Sequence, residues 1–348
     1  MRYSSKVLGN YNGDDVIEYT IENNNGIRVS VLNLGGVITG IFTPDKNGNF
    51  KNIVLGYKNI EDYFENEAYY GAVIGRFAGR IYKGKIQIED KEYILERNNL
   101  EINNLHGGSF GFQRKLWKVN DFKNENELAL QLEYISKDGE AGFPGEVKIT
   151  VKYVLNNNNE FYFFIQGETD KTTVLNITNH SYFNLSGNAE RNVLKHKLKI
   201  VSHKFLELSE DFGATGKEID VKGTPFDFRE EKEIGKDVEL DDYQLKAGGG
   251  YDHPFKFDNY IGEVELKDEK SGRVMKVSTN NSYVVIYTTN YPVEKVLYNE
   301  KMPEKRMAVC IETQNAPIGV NACYKEQSIL KRGEEYKRWT KYKFDILK

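Results

Sequence analysis

The chain has 348 residues, with 48 Lys plus Arg against 52 Asp plus Glu and a formal charge of -4. So even a balance excludes a nucleic-acid binder, because that affinity rests on clustered Lys and Arg that release counterions from phosphate. Two cysteines are too few for a disulfide framework, no run reaches the roughly 18 apolar residues of a membrane helix, and residues 1–25 lack an apolar signal core, so a soluble cytoplasmic protein with no membrane partner is expected.

Charges of both signs are interleaved, as in Lys115, Lys118 and Lys123 beside Asp121 and Glu125, which reads as a solvated face. The informative excess is aromatic: 23 Tyr and 19 Phe beside only 4 Met. Such residues favour strands and build flat, partly polar walls.

Taken in chain order, a strand is expected at 27–31. A short helix follows at 60–64, with Asn59 as its cap, and another strand at 85–88. Leu128, Leu130, Leu132 and Tyr134 alternate with polar residues, and Val147, Ile149, Val151, Tyr153 and Leu155 do the same against Lys148, Thr150 and Lys152. The Asn run at 156–159 predicts a hairpin into a strand carrying Phe161, Phe163 and Ile165. Leu194, His196, Leu198 and Ile200 alternate again, and further strands fall at 274–277, 283–287 and 342–346. Period-two patterning with one buried face, no amphipathic helix of ten residues, no linker and no repeat predict an all-β protein. The expected architecture is a large antiparallel β-sandwich forming a single domain over 1–348.

Five histidines occur, and three have unusual settings. His106 precedes Gly107 and Gly108, which let another group approach closely. His180 lies in the polar stretch Asn176-Ile177-Thr178-Asn179-His180-Ser181-Tyr182-Phe183-Asn184, and His253 follows Asp252 after three glycines. His196 and His203 read as half-buried or exposed strand positions, and His253 as structural, because consecutive strand residues face opposite ways. Glu312 closes the apolar run Ala308-Val309-Cys310-Ile311. A carboxylate there is either a paired structural group or a base whose pKa burial has raised. Arg76 and Arg80 flank small residues and either tie down loops or hold a ligand through the guanidinium fork.

No metal-ligand spacing, nucleophile elbow, phosphate loop or dinucleotide fingerprint occurs, so neither a metal nor a cofactor is expected. What remains is a His, Glu, Asp and Arg set on β scaffolding, suited to proton transfer.

Jointly, residues 75–81, 103–108 with Gly111-Phe112, 175–187, 251–254 and 311–315 with Val320-Asn321 resemble the aldose 1-epimerase (galactose mutarotase) family, in the family's order and over most of the chain. The resemblance implies a galactose mutarotase-like supersandwich that interconverts the anomers of free aldohexoses. It implies His180 as general acid to the ring oxygen and Glu312 as general base to the C1 hydroxyl. His106, Asp252 and Arg80 are implied to hold the sugar. The partner is then a small-molecule sugar, and the protein a monomer or homodimer. Two positions depart from the family pattern: Gly79 stands where many relatives carry Asn, and Val285 where relatives can carry a Gln. Competing readings are a hexose-6-phosphate 1-epimerase, a non-catalytic carbohydrate-binding or sensing domain, and a glycosidase with Glu312 and Asp252 as its carboxylates.

Overall fold

Alternating sequence becomes antiparallel sheet throughout the computed structural model, which describes residues 1–124 and 126–347. Glu125, counted above among the interleaved charges, lies outside the described residues. The first five strands, Arg2–Tyr11, Asp14–Glu22, Arg28–Leu32, Ile38–Pro44 and Phe50–Asn52, form a meander in sequence order. A nine-stranded sheet runs Lys118–Lys123, Glu127–Ser136, Val147–Asn156, Glu160–Thr169, Glu335–Ile346, Arg273–Thr279, Gly262–Asp268, Lys197–Ile200 and Lys232–Glu233. A six-stranded sheet runs Tyr182–Phe183, Val309–Gln314, Tyr283–Tyr287, Asp252–Lys256, Lys204–Leu208 and Ala214–Asp220. The expected all-β, antiparallel architecture is what forms.

The hairpin at 156–159 forms for a local reason. Asn156 Oδ1 accepts the amides of Asn158 and Glu160 at 2.9 and 3.1 Å, and Leu155 then faces Phe161 in register. Two expectations need correction, and one short helix was not anticipated. The short helix spans Asp62–Glu65 with Glu61 at its cap position, while Asn59 donates instead to the Asp62 carboxylate at 3.2 Å. A second helix, Tyr243–Gly248, was hidden by its glycine-rich surroundings; the Asp242 side chain caps it by accepting from the amides of Gln244 and Leu245. His196 is buried rather than half-exposed, because the Leu185 amide needs an acceptor and finds Nε2 at 2.9 Å. Among the described residues no helix is long and apolar enough to cross a membrane.

What positions the functional face is parity along the six-stranded sheet. Val309, Ile311, Val284, Ile286, Phe205 and Phe255 all join the main core, which also takes Leu130, Leu132, Val151, Phe163, Val277 and Phe344 from the nine-stranded sheet. The intervening residues Glu312, Gln314, Val285, Tyr287, Asp252 and Pro254 face the other way and line a cavity. Slipping the Val309–Gln314 strand by one residue would exchange Ile311 with Glu312, so the buried apolar set fixes where the carboxylate points. Each large apolar side chain fully removed from water contributes roughly 1.5–3 kcal/mol. Ile311→Ala is expected to lower unfolding free energy by about 2–5 kcal/mol in urea titrations, since it empties a fully buried site.

Candidate active site

The site assembles on the Val309–Gln314 strand, flanked on one side by Tyr182–Phe183 and on the other by Tyr283–Tyr287. Val285 pairs with Glu312 in register, and Asp252 with Tyr287. His180 enters just before Tyr182 and is fixed by its backbone, donating to Ala72 O at 2.9 Å and accepting from the Gly71 amide at 3.0 Å. Its neighbours Asn179 and Ser181 turn inward and bond each other, with Asn179 Nδ2 also donating to Gly71 O at 2.8 Å. His180 Nε2 consequently faces Glu312 Oε1 at 3.5 Å, and Cys310 Sγ lies 3.6 Å from Nδ1.

His106 crosses His180 edge to face, ring centroids 5.1 Å apart. The Gly79 amide donates to its Nδ1 at 3.2 Å, so the neutral ring carries its proton on Nε2. Arg80 reaches across the mouth: Nη2 pairs with Asp252 Oδ2 at 3.2 Å, Nε donates to Asn99 Oδ1 at 3.2 Å, and the guanidinium lies over Phe212, 4.7 Å from the ring centre. Tyr69, His106 and Phe212, which line one cavity, sit at positive φ of 58°, 54° and 62°, strained backbone for bulky residues.

That cavity measures about 380 Å³, toward the small end of ligand sites, which span about 300–1,000 Å³. Tyr69, Tyr182, Phe212, Tyr287 and Tyr291 form its aromatic walls. A larger open groove of about 1260 Å³ follows the Lys197–Ile200 strand, but its walls are already-paired charges, such as the exposed Lys195–Glu233 pair at 2.7 Å and the more buried Lys232–Asp237 pair at 2.7 Å. Volume is the poorer guide here, because only the smaller cavity gathers buried titratable groups with aromatic faces.

The sequence profile of the aldose 1-epimerase family matches residues 18–343. The chain belongs to the aldose 1-epimerase family. A galactose mutarotase of Homo sapiens is 37% identical over 327 residues, covering 92% of each chain. An aldose 1-epimerase of Streptococcus thermophilus is 34% identical over 334 residues with the same coverage. Among solved structures, a galactose 1-epimerase from Lactobacillus acidophilus NCFM superposes with a TM-score of 0.89 at 27% identity, covering 100% of this chain and 99% of that one.

Electrostatics in this family member separate the two central groups. Burial lowers the His180 pKa to about 4, favouring the neutral ring. Burial raises Glu312 well above the usual carboxylate range, with Asp252 adding to the shift and Arg80 opposing it. Burial likewise raises Asp252, against the pull of Arg80. His106 is pushed well down by burial, with His180 and Arg80 contributing, and stays neutral. His106, His180 and Glu312 offer ligand atoms within 4.8 Å of one another, a set that suits a divalent cation in composition. The tautomer argues against one: the Gly79 amide takes the Nδ1 lone pair, leaving Nε2 as a donor without a lone pair for a metal.

The five residues singled out in the sequence, Arg80, His106, His180, Asp252 and Glu312, therefore border one cavity. Arg76 does not: it is buried elsewhere, donating to Ser136, Pro144, Gly145 and Lys137 carbonyls, the loop-tying alternative. His253 turns into the core against Phe226, ring centroids 4.6 Å apart, and His203 pairs with Asp258 at the surface. Sequence reasoning passed over Tyr69, one tyrosine among 23 with no periodic signal. It also passed over Gln314, which parity with Glu312 could have revealed.

A raised carboxyl pKa means that ionising Glu312 destabilises the fold. The stability present below the unfolded carboxylate pKa of about 4.3 is lost as pH rises toward the folded value. Glu312→Gln is thus expected to match the parent in Tm near pH 4 and to exceed it by about 2–5 °C at pH 8, checked by calorimetry across that range.

Proposed function

We propose that the protein interconverts the α and β anomers of a free aldohexose such as galactose or glucose by acid/base ring opening and reclosure. The observation carrying this reading is the buried His180–Glu312 pair at 3.5 Å, in an aromatic-walled cavity of about 380 Å³, within a member of the aldose 1-epimerase family.

The pair holds one proton to be exchanged. At rest that proton sits on Glu312, so opening begins with its transfer to His180 Nε2; Glu312 then takes the C1 hydroxyl proton, the C1–O5 bond breaks, and His180 Nε2 protonates O5. The resulting aldehyde turns about C1–C2. For reclosure, Glu312 returns its proton to the aldehyde oxygen while Nε2 takes the proton from the O5 hydroxyl, giving the other anomer with the pair restored. Throughout, His180 keeps its second proton on Nδ1 toward the Cys310 sulfur, a weak acceptor that leaves Nε2 free to exchange. The state reached after opening, neutral His180 with protonated Glu312, is the one that burial favours, so reclosure proceeds without an intervening proton shift. The His106 Nε2–H donates to the C1 oxygen, while the Arg80–Asp252 pair holds ring hydroxyls. Each positioned acid or base contributes roughly 10²–10⁴-fold.

A phosphorylated substrate is disfavoured, since Arg80 is the only Lys or Arg lining the cavity among the described residues and it is already paired with Asp252. Polarimetry on freshly dissolved α-galactose tests the function: the protein should speed equilibration over buffer, with glucose 6-phosphate turned over more slowly than glucose. Glu312→Gln should lose at least about 10²-fold in kcat while retaining sugar affinity, which also separates an enzyme from a binding domain. Activity should fall as pH drops through about 4, where His180 and Glu312 are both protonated and no base remains. Prolonged treatment with a metal chelator should leave the rate unchanged.

A further inference from the structure

We infer that Gln314 is a sugar-contacting specificity residue, its side-chain amide binding a ring hydroxyl on the non-reacting carbons. The inference rests on the sugar-pocket reading above and deepens it.

Gln314 is fully buried, yet neither Oε1 nor Nε2 has a hydrogen-bond partner in the protein. Both ends of a buried primary amide left unpaired cost far more than a surface position would, and such a group calls for a partner that the protein itself does not supply. Its surroundings give direction to that amide. Gln314 lines the cavity together with Gly79 and Pro317. It follows Glu312 by two residues on the Val309–Gln314 strand, so both side chains leave the same face. A side chain at Gly79 would place its Cβ 3.0 Å from Gln314 Nε2, so the glycine leaves room beside the amide on the cavity side.

The spacing selects the part of the ligand it meets. Two residues along a strand span about 7 Å. With Glu312 at the C1 hydroxyl, Gln314 falls over the hydroxyl-bearing carbons and away from the bonds that break. An amide offers one acceptor and two donors, which suits a hydroxyl that both gives and receives a hydrogen bond. Because such a contact is the same in ground and transition states, it lowers KM and leaves kcat alone.

The test is steady-state mutarotation by the parent, Gln314→Met and Gln314→Asn on galactose and its 2-, 3-, 4- and 6-deoxy forms. Gln314→Met keeps length and removes both polar atoms. Gln314→Asn withdraws the amide by one methylene and serves if the apolar variant does not fold. The expected result is KM raised about 5–20-fold on galactose with kcat within about 3-fold. For one of the deoxy sugars at C2, C3 or C4, the substitution should add no further loss. If KM is unchanged, or if every deoxy sugar loses equally in parent and variant, the inference is overturned. A parent enzyme that leaves galactose at the buffer rate would instead overturn the proposed function itself.

Discussion

An imidazolium and a carboxylate 3.5 Å apart stabilise one another, but in a buried cavity each ionised form is disfavoured by lost hydration. The compromise is a pair that holds a single exchangeable proton and places it on either partner. Everything else around the site keeps that balance adjustable. Asp252 raises the proton affinity of Glu312 and Arg80 lowers it, so the ion pair at the cavity mouth tunes the group at its base. A reaction that delivers one proton and removes one at neighbouring oxygens needs no larger device.

The fold serves this pair through parity. Ile311 and Val309 anchor one face of their strand in the core, which forces Glu312 and Gln314 onto the cavity face. His180 arrives from the adjoining segment, held by backbone bonds to Gly71 and Ala72 rather than by its ring. The ring is thereby free to exchange protons while its position is not free to drift. The loops that bring Tyr69, His106 and Phe212 inward adopt positive φ, a strain that the surrounding packing sustains. A second balance follows for stability: a carboxyl whose pKa burial raises is expected to weaken the fold at neutral pH.

The sheets were legible because alternation reports directly which face is buried, and the long strands around Val151, Phe163 and Tyr342 lie where the pattern put them. Glu312 and His180 stood out as a carboxylate at the end of an apolar run and a rare imidazole in a polar stretch, although their roles came from family resemblance rather than spacing. What escaped detection depends on three-dimensional context. The Tyr243–Gly248 helix owes its start to one Asp242 cap. Tyr69 reaches the cavity through a left-handed backbone that no residue pattern announces, and His196 is buried by a distant amide at Leu185. Gln314 was accessible to parity reasoning, but its missing partners appear only once the neighbours are in position.

The central claim is that the buried pair rests with its proton on Glu312. Difference infrared spectroscopy of the parent against Glu312→Gln at pH 7, without sugar, measures this directly. The account predicts a protonated carboxyl carbonyl band in the parent that is absent from the variant. A carboxylate band in its place, persisting down to pH 5, would contradict it.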